Sequence, residues 1–136
     1  MTRRKDDLRA EKLTLLKEHA QVTATTTIKL YKVPTGRSFR LTGAQYVNVT
    51  GLANDATNAF AGTIQNAATV AALLFNTDSG DADVKAIAAD TLVIADLSAT
   101  EASRCFAAGD TISLVLTEDG TATLPAGTVV LEGLLF

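Results

Sequence analysis

From Val22 onward the chain alternates apolar and polar side chains in short runs, each closed by turn residues. "VTATTTIKLYKV" carries Ile28 and Leu30 at every second position and stops at Pro34. "RSFRLTGAQYVNV" alternates through Phe39 and Leu41, breaks near Gly43 and resumes through Tyr46 to Val49. Alternation with period two predicts half-buried strands, and a glycine inside such a pattern marks a bulge or bend. "AFAGTIQ", "VAALLFN", "TLVIADL", "DTISLVL" and "TVVLEGLLF" read as further strands, set apart by Gly-, Asp- and Asn-bearing turns, with Asp119-Gly120 a hairpin signal. Within "DSGDADVKAIAAD" a helical turn is predicted, with Asp81 as its N-cap and Val84, Ile87 and Ala88 facing inward.

Ahead of Val22 the texture differs. Over residues 5–20, Leu8, Leu13, Leu15, Leu16 and Ala20 recur near helical spacing, with Arg9, Glu11, Lys12, Lys17 and Glu18 on the other faces and Asp6 and Asp7 in the first turn. The spacing predicts an amphipathic helix, either an arm that orders on a partner or a helix packed on its own domain. The chain therefore divides into a charged helix or arm over 1–20 and a β domain over 21–136.

Three segments share one form. "VPTGRSFRL" (33–41), "FAAGDTISL" (106–114) and "LPAGTVVLE" (124–132) each run from an apolar residue through Pro or Ala and a spacer to Gly, and then into a strand. Each is a corner, and an apolar side chain three residues past the glycine (Phe39, Ile112, Val130) is expected to face inward. Corners spaced this unevenly exclude a solenoid and fit an all-β, antiparallel β-sandwich whose strands cross between two sheets, a jelly roll, with the α-helical arm at its N-terminus. The chain ends on Leu134-Leu135-Phe136. In a strand through the middle of a sheet, Leu134 and Phe136 are expected to reach the core, each burial contributing roughly 1.5–3 kcal/mol. Leu135, on the opposite face, then needs a cover such as a neighbouring subunit.

Composition adds mostly exclusions. The 47% hydrophobic and 20% charged fractions of this 136-residue chain fit one globular domain. The single Cys105 allows no internal disulfide and no cysteine metal cage, and beside Phe106 it is expected to be a buried, inert thiol. No run approaches the ~18 apolar residues of a membrane span, and the N-terminus has no apolar stretch of the signal-peptide kind. His19, the only histidine, lies among charged residues and is expected on the surface; no phosphate loop, HExxH or GxSxG accompanies it, so neither an enzyme nor a bound cofactor is expected. Asp78, Asp81 and Asp83 lack the order of a calcium loop and read as a polar turn.

The net charge of -3 conceals a division. Residues 1–40 hold ten basic and four acidic side chains, and residues 41–136 hold two basic and eleven acidic ones. A basic end suits an acidic partner surface. Nucleic acid fits less well, because Asp6, Asp7, Glu11 and Glu18 interrupt the basic run and Tyr31 and Tyr46 stand alone without a stacking platform.

The strand-and-corner text at "YKVPTGRSFRLTGAQYVNVTGLANDATNAF" (31–60) and "FAAGDTISLVLTEDGTATLPAGTVVLEGLLF" (106–136) resembles the small capsid cement, or decoration, proteins of tailed bacteriophages. The resemblance implies a jelly-roll virion protein, made in the host cytoplasm, that binds the outer surface of an assembled shell and spans neighbouring major capsid subunits. It implies a homodimer or homotrimer and no catalytic residues. The partner-facing residues expected are Arg3, Arg4, Lys5, Arg9, Lys12, Arg37 and Arg40 against acidic patches, and Leu8, Leu13, Leu16, Leu135 and Phe136 against neighbours. A tail-fibre or baseplate jelly roll recognising a host surface is the alternative. It wants exposed aromatics, as does a carbohydrate-binding module, and the chain has 5% aromatics and no Trp.

Overall fold

Alternation along the chain becomes two facing sheets, each presenting its apolar positions to the other. The computed structural model describes residues 10–136. Its strands are β1 (Glu11–His19), β2 (Thr26–Lys32), β3 (Phe39–Asn48), β4 (Ala59–Asn66), β5 (Thr69–Asn76), β6 (Val93–Ile94), β7 (Asp96–Leu97), β8 (Cys105–Phe106), β9 (Thr111–Asp119) and β10 (Gly127–Leu135). One sheet runs β1-β10-β3-β6, with β8 also on β3; the other runs β2-β9-β4-β5-β7. Every pairing between these strands is antiparallel. Only β4 and β5 form a hairpin within a sheet, and every other connection crosses from one sheet to the other. Asp119-Gly120 accordingly turns the chain out of the second sheet, where a hairpin was expected.

The core is one cluster between the sheets. Phe39, Leu41, Tyr46, Val129 and Leu131 enter from the first sheet, and Phe60, Ile64, Phe75, Ile112 and Leu114 from the second. The break expected near Gly43 is a bulge: Glu132 pairs with Gly43 and Gly133 with Leu41, so Thr42 is the extra residue. Gly36 and Gly109, in the first two corners, have φ of 78° and 86°, backbone that a side chain resists. Phe39 and Ile112 face inward as expected. At the third corner Gly127 already belongs to β10, so the parity shifts by one and Val129, not Val130, is buried.

The predicted helix over 5–20 is corrected: residues 11–19 are a strand and no α-helix occurs among the described residues, while residues 5–9 lie outside them. Glu, Lys and Leu favour helix locally, but β1 has an open ladder to join. All nine of its residues pair with β10, from Glu11 opposite Leu135 to His19 opposite Gly127. Tertiary pairing overrides a propensity of a few tenths of a kcal/mol per residue. In strand form Leu13 and Leu15 pack against the core and Leu16 points out. The sandwich thus includes residues that the sequence reading gave to a separate arm.

Other corrections share that cause, the parity of a strand. Leu135 is the buried residue at the end of β10, and Leu134 and Phe136 turn outward, the reverse of the expectation. Cys105 is exposed, since Phe106 takes the inward position of the two-residue β8. Residues 78–90 form no helical turn. Lys85 exchanges backbone hydrogen bonds with Asn76, and Leu52 N–H donates to Ile87 O, so the segment lies extended with Ile87 inside and Val84 and Ala88 outside.

Candidate interaction surface

Strand register and alternation place the side chains of the first sheet's outer face in rows. Lys12, Leu134 and Arg40 form one row across β1, β10 and β3; Leu16, Val130, Gln45 and Ile94 form another, extending onto β6. Leu16 and Ile94 are 66% and 65% exposed, so this second row, apolar except for Gln45, is open to solvent at both ends. The second sheet's outer face carries Thr63, Gln65, Ser113 and Thr117 among its outward positions and is more polar.

The first row closes on a small cluster at the end of β10. Arg37 Nε donates to the main-chain oxygen of Phe136 at 2.6 Å, and its Nη2 reaches Glu11 Oε1 at 3.1 Å. The Arg40 guanidinium lies 5.3 Å from the centre of the Phe136 ring, and its Nη1 contacts Glu101 Oε1 at 3.3 Å. The two ion pairs are exposed, each worth well under ~1 kcal/mol. Their effect is positional: Arg37 ties down the main chain of Phe136 and Arg40 lies over its ring, which presents a cationic-aromatic surface beside Leu134.

Of the partner-facing residues expected from sequence, Lys12, Arg37, Arg40 and Phe136 are brought together here. Leu16 sits in the second row, separated from the first by Thr14 and Glu132. Leu13 faces inward on β1 and Leu135 is in the core, so neither belongs to the outer surface. Arg3, Arg4, Lys5, Leu8 and Arg9 lie outside the described residues.

A buried polar node at the opposite end of β1 was missed. His19 is only 6% exposed, a correction to its expected surface position. Its Nδ1–H donates to Ala20 O at 2.7 Å, since a carbonyl only accepts, and Nε2 then accepts from the Tyr46 hydroxyl at 2.6 Å. Asn48 Nδ2 donates to Tyr46 Oη at 3.2 Å and to Pro125 O at 2.7 Å, and Asn48 Oδ1 accepts from Thr50 N–H and Gly51 N–H. Burial pushes the Tyr46 hydroxyl pKa up to about 12, with the Asn48 hydrogen bond pulling weakly the other way. Every member is satisfied, and the node ties edge strand β1 to β3 across β10. The signal was the parity of β1, which puts His19 on the same face as Leu13 and Leu15.

The aspartates behave as turn formers. Asp55 Oδ1 accepts from Thr57 N–H at 2.8 Å, Asn58 N–H at 3.1 Å and Thr57 Oγ1–H at 3.0 Å, which holds its carboxyl below the usual range. Asp81 is held low in the same way, chiefly by Asp83 N–H and then by Asn76 Nδ2–H. Among the described residues no group of three His, Cys, Asp or Glu is arranged to hold a metal ion, and no helix is long and apolar enough to cross a membrane.

No protein-family model, curated protein or solved structure matches this chain.

Proposed function

We propose that this protein is a structural virion component that binds the outer surface of an assembled phage capsid and cements neighbouring major capsid subunits. The observation that carries the reading is the row Lys12–Leu134–Arg40 closed by Phe136. It is a basic, partly apolar band laid on a rigid sheet, suited to an acidic protein surface. The sequence resemblance over 31–60 and 106–136 supplies the partner. The strand orders, first-last-third-sixth and second-ninth-fourth-fifth, support the finer description of the sandwich as a jelly roll. Each ion pair on such a surface gives only ~0.5 kcal/mol, so strength comes from repetition over many lattice sites.

Co-sedimentation with empty shells assembled from the major capsid protein of the same genome tests this. Saturable binding at a fixed ratio is expected, weakening as salt rises and weakened further by Lys12→Glu with Arg40→Glu. Absence of binding by the wild-type protein at low salt overturns it.

A further inference from the structure

The two flanks of the sandwich carry opposite charge. Strands β1 and β2 lie together at one side, where Leu15 and Leu16 of β1 and Leu30 of β2 line a shared apolar opening. The same two strands expose Lys12, Lys17, Lys29 and Lys32, with Lys17 at the opening itself; the acids beside them are Glu18, Glu132 of β10 next to Lys12, and Glu11, which Arg37 engages. At the other side β6 and β7 form the edges, near β5, and the segment 77–92 runs between the sheets. This flank exposes Asp83, Asp90 and Asp96, with Asp81 nearer β4 and β9, against Lys85, which contacts Asp96 at 3.1 Å, and the half-buried Arg104 of the short 3-10 turn 101–104 beside β5. Val84, Leu92 and Ile94 stand exposed among these carboxylates. Each flank is thus an apolar patch set in charge, and the two charges are of opposite sign.

We propose that copies of this protein associate head to tail, the β1/β2 flank of one copy seated on the β6/β7 flank of the next. A two-fold contact would put each flank against its own sign, lysines on lysines or carboxylates on carboxylates. A heterologous contact pairs unlike flanks, covers Leu16 and Leu30 with Val84, Leu92 and Ile94, and closes into a ring if the rotation permits. The long, open edge of β1 lies in the contact, which gives the next copy an ordered backbone to pack against.

The test uses the free full-length protein without shells, so its failure leaves shell binding undecided on its own terms, and failure of shell binding leaves it standing. Sedimentation velocity should show species above the monomer at low salt that dissociate toward about 0.5 M salt, where the screening length falls to a few ångström. A Lys17→Glu, Lys29→Glu variant has two acidic flanks and an Asp83→Lys, Asp96→Lys variant has two basic ones; each alone should sediment as monomer. Mixed in equal amounts they should recover species above the monomer, alternating around an even-membered ring or along an open chain, which also shows that both are folded. A wild-type protein that stays monomeric at low salt overturns the proposal. So does an oligomer that persists unchanged through the salt series, or variants that assemble alone as the wild type does.

Discussion

The Nε2 atom of His19 and the hydroxyl of Tyr46 meet at 2.6 Å although a whole strand, β10, lies between β1 and β3. They meet over Gly127, which pairs with His19 on one side and Asn48 on the other. A Cβ at Gly127 would collide with Tyr46 Oη and stand 2.9 Å from His19 Nε2. The missing side chain is the space the node occupies.

Gly127→Ala should therefore destabilise the fold by about 2 kcal/mol, the usual scale of an overpacked site. Urea denaturation gives the value. A change within error would mean that the two rings move aside freely.

Tyr46→Phe keeps the ring and removes the hydroxyl, leaving His19 Nε2 without a donor and Asn48 Nδ2 with one acceptor fewer. A loss of roughly 1–3 kcal/mol is expected. The same hydroxyl sets an alkaline limit. Its folded pKa of about 12 lies above the ordinary 10.0, so its contribution is whole below pH 10 and is lost as pH rises toward 12. In a Tyr31→Phe background, phenolate absorbance at 295 nm should report Tyr46 alone, and a midpoint near 10 in the folded protein would contradict the burial described.

At the acid end the sign reverses. Asp55 and Asp81 have folded pKa values below the ordinary 3.8, so their contribution is present above that value and is lost as pH falls through the folded ones. Stability should be level from neutral pH to about 4, by the ordinary carboxylate pKa, and decline below it. Asp55→Asn should flatten that decline in an acid titration followed by circular dichroism.

At the end of β10, Leu135→Ala should cost roughly 2–4 kcal/mol, as a core truncation does, while Leu134→Ala should cost little. Equal effects would return Leu134 to the core and reverse the parity assigned here.

The β-sandwich was legible wherever strands alternate against turn residues: Phe39 and Ile112 fell inward, and the interruption near Gly43 is a bulge. What failed was parity and partnership. "EKLTLLKEH" has helical composition, and nothing local in it reveals that β10, more than a hundred residues away, offers it a ladder. With β1 misread, His19 was placed in water and the buried node stayed invisible. A one-residue offset at Gly127 inverted the burial of Leu134, Leu135 and Phe136. Of the contact surface, the residue types were readable, and Lys12, Arg37, Arg40 and Phe136 do converge. Their rows, and the line from Leu16 through Val130 and Gln45 to Ile94, follow only from register.

The ladder between β1 and β10 also constrains how the sandwich is born. β1 leaves the ribosome before the other described strands, and its partner is completed only with Leu135; β2 likewise waits for β9. Both strands must remain unpaired while the rest is made, and loop closure over such separations slows folding. The nascent chain thus has no self-sufficient N-terminal half to fold first. Among the described strands, β1 precedes all the others along the chain, and it gains its ladder only when the last of them, β10, is made.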